Sequence, residues 1–270
     1  MSLLQALLLA ILQGVTEFLP ISSSGHLVLL SQWQQRLQGM ADQGLAFDAA
    51  IHLGTLAAIV WYARADVVAL LDVLRLRATA SAQQLFLLIL LATLPVLVCG
   101  WLLLDWIEAM TRNLTVIATT TLLFGLLLGL ADSFGRRRLQ IEQLRWPAAV
   151  WIGLAQVLAL IPGTSRSGIT MTAGLALGLT RRQAAKFSFL LAIPVLAVAG
   201  GYNLLRVLLG SDDGQLSYAI STLLLATVVS AVVAFASIRL FMALVERIGM
   251  WPFAIYRILL GLLLFWLVWQ

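Results

Sequence analysis

The chain alternates between long apolar blocks and short charged segments. Six blocks, roughly 45–62, 84–104, 114–131, 187–209, 217–238 and 251–269, come close to the ~20 residues a helix needs to cross a bilayer. Two further stretches, 1–38 and 147–180, are apolar but interrupted near their middles by clusters of Gly, Pro, Ser and Thr. Interruption of that kind predicts broken, re-entrant helical hairpins, because backbone freed from a helix at membrane depth must face protein or a wet cavity. The expected architecture is an all-α integral membrane protein, a single membrane domain over 1–270 with about six transmembrane helices and two re-entrant hairpins.

Composition agrees with the blocks and removes other classes. Of the 270 residues 61% are apolar and only 11% charged, against about 25% charged in a soluble domain. The lone cysteine, Cys99, excludes an intrachain disulfide and is expected to be a buried apolar filler. Two histidines, His26 and His52, cannot build a multi-histidine metal site. The sequence pI near 10.1 comes from arginines at the ends of apolar runs, which set membrane topology, so no nucleic acid partner is expected. Residues 1–10 look like a signal peptide but carry no basic start and run directly into Gln13–Glu17, so they are kept in the mature protein.

If both hairpins return to their side of entry, the segments 63–83, 132–146, 180–186 and 239–250 share one side. They hold Arg64, Arg75, Arg77, Arg136, Arg137, Arg138, Arg145, Arg181, Arg182, Lys186, Arg239 and Arg247, whereas the other side holds only Arg36 and Arg112. The rich side is cytoplasmic by the positive-inside rule, which puts Asp105, Glu108, Asp212, Asp213 and both termini outside. An offset of 143 residues pairs Gln13 with Gln156, Ser22 with Ser165, Ser24 with Ser167, and Gly25 with Gly168. These polar and glycine matches predict two inverted repeats, roughly 1–132 and 133–270, whose hairpin tips meet within the bilayer.

The second tip reads Pro162-Gly163-Thr164-Ser165-Arg166-Ser167-Gly168-Ile169-Thr170. An arginine inside such a stretch costs at least ~2.5–3.5 kcal/mol unless it has a partner or a wet cavity, which makes Arg166 a functional residue by default. Its planar fork suits phosphate, Ser165 and Ser167 offer hydroxyls and caps, and Gly163 and Gly168 let backbone N–H groups approach an anion. Pairing of Arg166 with a carboxylate is the plain structural alternative. The first tip runs Gln13-Gly14-Val15-Thr16-Glu17-Phe18-Leu19-Pro20-Ile21-Ser22-Ser23-Ser24-Gly25-His26. Gln13 and Glu17 share a helix face, and a carboxylate, hydroxyls and an imidazole converge, the inventory for activating a nucleophile or moving a proton. The serines equally read as caps, as a serine run before a helix commonly is. His26 reads as a structural hydrogen bond or an acid/base group, and Glu17 needs a cation, either Arg166 or a metal ion. Asp48 and His52, four apart, read as a second shell, a cation ligand or an interfacial pair. Arg206 and Arg257 are expected to snorkel, and Trp101, Trp106, Trp251, Trp266 and Trp269 to anchor at the interfaces. That leaves Glu17 and Arg166 as the charges inside.

At these tips the chain resembles the undecaprenyl-diphosphate phosphatase family, also called the bacitracin-resistance proteins. The residues that carry the resemblance are Gln13-x-x-x-Glu17 with Pro20-Ile21-Ser22-Ser23-Ser24-Gly25-His26, and Pro162-Gly163-x-Ser165-Arg166-Ser167-Gly168-x-Thr170. The resemblance implies a multi-pass enzyme of the bacterial inner membrane, with a site open toward the periplasm. It would release inorganic phosphate from undecaprenyl diphosphate and return undecaprenyl phosphate as the carrier of cell-wall precursors. A divalent cation, Mg2+ or Ca2+, is implied as cofactor, with Glu17 and, less directly, Asp48 as ligands. Glu17, His26, Ser165 and Arg166 fall on catalytic or phosphate-binding motif positions and Ser23 on the proposed nucleophile. Gln13, Ser22, Ser24, Gly163, Ser167, Gly168 and Thr170 complete the substrate-binding set. Gln13 stands where many members have glutamate, and His52 is atypical for its segment. Membrane lipids are expected partners, and a homo-oligomer is left open. Ser23 or a water is the candidate nucleophile, with Glu17 or His26 taking the proton. The rival reading is a transporter or flippase for an anion or lipid phosphate, since inverted repeats and broken helices are transporter features too.

Overall fold

A computed structural model describes residues 2–23, 25–27, 29, 44–103, 106–107, 113–209 and 219–269. Among these residues the regular structure is helical, without a strand. The named helices are α1 (Leu3–Thr16), α2 (Leu45–Tyr62), α3 (Arg64–Leu74), α4 (Ala80–Leu102), α5 (Leu114–Phe134), α6 (Trp146–Val157), α7 (Arg166–Ala176), α8 (Arg181–Leu208), α9 (Ile220–Ile248) and α10 (Trp251–Val268). Five of them, α4, α5, α8, α9 and α10, are long and apolar enough to cross a membrane, and the expected sixth span is the 18-residue α2. Their outward faces carry Leu87, Leu126, Leu224, Val232 and Leu259, all exposed, while Thr121, Ser188 and Ser230 are buried. Apolar outside and polar inside is the arrangement of a multi-pass membrane protein, because lipid rather than water covers the perimeter.

Several helices overrun the apolar blocks. α8 begins at Arg181, where the Thr180 hydroxyl caps Gln183 N–H, so Arg181, Arg182 and Lys186 lie in its first turns and not in a loop. α9 continues through Arg239, Glu246 and Arg247 to Ile248, ending at Gly249 with φ 71°. Hydropathy marks where the membrane ends, whereas the helix ends only where a cap or glycine stops the backbone ladder. The segment 63–83 likewise contains α3, which has no buried residue.

The expected hairpins are both broken helices. Ser2 and Gln5 form a capping box at the start of α1, which stops at Thr16 ahead of Pro20. Ser23, Gly25, His26, Leu27 and Leu29 are helical again. In the second, α6 and a short 3-10 turn, Leu158–Leu160, lead to Pro162, and α7 resumes at Arg166. α1 packs on α9 and α2, while α6 packs on α4 and α7 lies between α5 and α8.

One charge not expected inside is interior. Asp132, on α5, is 1% exposed and takes Arg181 Nε at 2.6 Å and Nη2 at 3.0 Å, plus Met250 N–H at 3.0 Å. Cys99 is half-buried rather than buried.

Candidate active site

Each tip is built around a serine in left-handed backbone. Ser22 has φ 72° and Ser165 φ 68°, values uncommon for a residue with a Cβ. Each hydroxyl then accepts from the N–H three residues on: Gly25 N to Ser22 Oγ at 3.4 Å, Gly168 N to Ser165 Oγ at 3.2 Å. Both serines therefore act as helix caps. The second tip is held from behind by α5. Thr120 Oγ1 donates to Pro162 O at 2.5 Å and Thr121 Oγ1 to Gly163 O at 3.2 Å. Gly163, at φ 88°, has no room for a side chain, since a Cβ there would lie 2.2 Å from Thr120 Oγ1.

The two tips touch. Ser167 Oγ donates to Leu19 O at 2.9 Å, and Arg166 Nη2 meets Glu17 Oε1 at 3.1 Å. Arg166 Nη1 is fixed on Ser188 O at 3.1 Å, while Thr170 Oγ1 donates to Ser188 Oγ at 2.7 Å. The ion pair is nearly enclosed, with side-chain exposures of 12% for Arg166 and 9% for Glu17. Pairing at this depth relieves the cost of burying either charge and leaves a narrow face for a ligand.

Behind Glu17 stands a relay from a third element. Gln13 Nε2 donates to Glu17 Oε2 at 2.8 Å and contacts His52 Nε2 at 3.2 Å. His52 Nδ1 lies 2.7 Å from Asp48 O. A carbonyl only accepts, so Nδ1 carries the proton and Nε2 of the neutral ring accepts from Gln13. Gln13 Oε1 is buried with no partner among the described residues. His26 is held the same way. Its Nδ1 donates to Ser22 O at 2.7 Å, which leaves Nε2 to accept from Tyr256 Oη at 2.5 Å, with the two rings stacked 5.5 Å apart.

Gln13, Glu17, Ser165, Arg166, Ser167 and Thr170 are thus joined in one network, with Gly163 and Gly168 shaping the second tip. Ser22 caps the helical turn that carries Ser23 and His26, and Ser23 is half-buried at its start. Ser24 lies outside the described residues. Asp48 enters through its backbone carbonyl. No three His, Cys, Asp or Glu side chains converge among the described residues, which leaves Asp48 outside any such cluster.

The expectation that Arg257 snorkels is wrong. It is fully buried on α10, donating from Nε to Thr121 O at 3.3 Å and from Nη2 to Gly163 O at 3.0 Å and Thr164 O at 2.8 Å. The helix begins at Trp251, so Arg257 is nearly two turns in, too far to reach the interface while its guanidinium holds the tip. The usable signal was the one that singled out Arg166: an arginine inside an apolar run. Arg206 does sit in the last turn of α8, with its Cζ 5.9 Å from the Tyr202 ring centre.

Two broken helices meet around a buried arginine and carboxylate and are capped by serines, within a bundle of long apolar helices that defines a multi-pass membrane protein. Residues 6–263 match the family model described as Bacitracin resistance protein BacA, and the chain belongs to this family. An Undecaprenyl-diphosphatase of Alcanivorax borkumensis is 50% identical over 271 residues, covering 97% of this chain and 98% of that protein. Undecaprenyl-diphosphatase 1 of Pseudoalteromonas translucida is 49% identical over 265 residues, covering 97% of each. The Undecaprenyl-diphosphatase of Saccharophagus degradans is 47% identical over 272 residues, covering 100% of this chain and 99% of that one.

Proposed function

We propose that this protein is an undecaprenyl-diphosphate phosphatase, a hydrolase that cuts the phosphoric anhydride to give undecaprenyl phosphate and inorganic phosphate. The observation that carries the reading is the buried Arg166–Glu17 pair at the meeting of the two tips, in a chain about 50% identical to proteins named for that activity. Diphosphate cleavage is chiefly a matter of holding phosphoryl oxygens and balancing their charge, which a guanidinium at a helix N-terminus does. The isoprenoid tail lies among the lipid-facing helices, which accounts for an active site inside the membrane.

In this reading Arg166 binds the terminal phosphate and Glu17 aims Arg166. Ser23 Oγ attacks the terminal phosphorus as the bridging P–O bond breaks, and its proton passes to His26 Nε2, the ring's accepting nitrogen, as Tyr256 Oη gives up its hydrogen bond there. Water then cleaves the phosphoserine, releasing inorganic phosphate and restoring the hydroxyl. A divalent cation, Mg2+ or Ca2+, fits Glu17 together with the orphaned Gln13 Oε1, since magnesium sites commonly take one or two carboxylates plus substrate phosphates. When bound it supplies charge neutralisation at the phosphate oxygens.

The matching backbone at Ser22 and Ser165 supports two structural repeats, roughly 1–132 and 133–270. The arginine count supports inverted orientation in a bacterial inner membrane with the site open to the periplasm.

Purified protein in detergent should release phosphate from undecaprenyl diphosphate when magnesium or calcium is present and stop on chelation. Glu17→Ala and Arg166→Ala should each lower turnover by ~100-fold or more, as loss of a preorganised charge-stabilising group does. Release by intact spheroplasts into the outer buffer reads the side. Folded wild-type protein that releases no phosphate with either metal ion sinks the proposal and returns the transporter reading.

A further inference from the structure

Arg257 presents a charge problem that loop-holding does not solve. Its Nε and Nη2 are spent on three carbonyls, Thr121 O, Gly163 O and Thr164 O. Its Nη1 is buried and has no hydrogen-bond partner, and no carboxylate pairs with it among the described residues. Arginine does not shed its proton in a protein, so the cation cannot be neutralised from within. A buried charge with an unused donor is costly unless something anionic meets it.

The unused donor has a definite place. Nη1 lies against Gly168, where an added Cβ would come within 2.4 Å of it. Gly168 lies in the first turn of α7, its N–H capped by Ser165 Oγ, and Arg166 is the first residue of that helix. The α7 N-terminus is therefore flanked by two guanidiniums, Arg166 and Arg257, with Glu17 the one carboxylate paired there among the described residues. The positive end of the helix adds to the imbalance. Thr121, whose carbonyl holds Arg257 Nε, also has its Oγ1 3.7 Å from where a Gly25 Cβ would sit, so the residue that anchors the cation touches the first tip as well.

We infer that Arg257 Nη1 is a second phosphate-binding donor, meeting an oxygen of the diphosphate at the α7 N-terminus while Nε holds Thr121 O and Nη2 holds the Gly163 and Thr164 carbonyls. The inference rests on the proposed diphosphate reading of the site. It explains why Gly168 must be a glycine: any side chain there displaces the donor.

The test uses the full chain in detergent, inorganic pyrophosphate as probe, and undecaprenyl diphosphate for turnover. Arg257→Gln and Gly168→Ala, the second of which keeps the guanidinium but crowds Nη1, are compared with wild type. Both should lose the thermal stabilisation that pyrophosphate gives wild type, and raise KM about 10–100-fold, as expected for losing a hydrogen bond to a charged group. Unchanged pyrophosphate stabilisation and KM in a folded variant overturn the inference while leaving the phosphatase reading intact. Conversely, a wild type that binds pyrophosphate through Arg257 but releases no phosphate defeats the phosphatase reading alone. Should both variants fail to fold, a crystal structure of wild type with pyrophosphate decides: an anion oxygen about 3 Å from Nη1 supports the role, and an anion on Arg166 with Nη1 still unpaired refutes it.

Discussion

A glutamine amide cannot ionise, so what Gln13 contributes depends on which end faces which neighbour. His52 decides this: its Nδ1 is committed to Asp48 O, its Nε2 can only accept, and the Gln13 NH2 group is thereby turned to bridge His52 and Glu17. The carbonyl end, Oε1, is left buried without a partner among the described residues. His52 is thus a positioning residue, acting through Gln13. His52→Leu should let the amide rotate and lower kcat about tenfold, the usual scale for a misplaced supporting group, with KM little changed. His52→Gln, which can still present an acceptor, should recover most of the loss; equal defects in the two variants, measured by phosphate release, would show that His52 only packs. Sequence set His52 beside Asp48 on one helix face but did not reveal its contact with Gln13, because that residue is 39 positions away.

At the scale of elements, the two tips are the parts of the chain that do not obey helix rules, and the structure shows what holds them open. Pro20 and Pro162 stop the preceding helices, and Ser22 and Ser165 restart the next ones from left-handed backbone. The second tip has a brace: the hydroxyls of Thr120 and Thr121 on α5 bond its carbonyls directly. Gly163→Ala strains φ 88° and drives a Cβ into Thr120, so it should cost about 1–3 kcal/mol of stability and much of the activity. Thr120→Ser keeps the bond to Pro162 O and should be close to neutral in both, as read by thermal unfolding and turnover. The tips and their glycines were legible in sequence as polar interruptions of apolar runs. Their brace was not, since a threonine in an apolar helix commonly satisfies itself on its own backbone, as Thr119 does with Thr115 O.

For the molecule as a whole, charges are sorted by depth. Most arginines crowd the membrane edge, but Asp132 is interior, and it ties the end of α5 to Arg181 on α8 and to the backbone at Met250. Removing the carboxylate strands a partly buried guanidinium and an amide together. Asp132→Ala should therefore destabilise the protein by ~3 kcal/mol, while activity per folded molecule stays near wild type because the pair lies apart from the Arg166–Glu17 network. Thermal unfolding with parallel phosphate release checks this; a stable variant with lost turnover would give Asp132 a role in the site.

Sequence alone determined that the chain lives in lipid, which blocks cross it, and which two helical stretches break. These follow from local properties: apolar length, proline and glycine positions, and the cost of an isolated charge in hydrocarbon. Only the tertiary structure decided which charges pair. Glu17 and Arg166 were the two expected inside and do meet, but Arg257 and Asp132 are inside too. Position within a run says how deep a residue sits along its helix, not whether that face of the helix turns toward lipid or toward a neighbour. For Arg257 the neighbour is the second tip, and that contact places a guanidinium with no carboxylate partner among the described residues beside the helix end where Arg166 already waits.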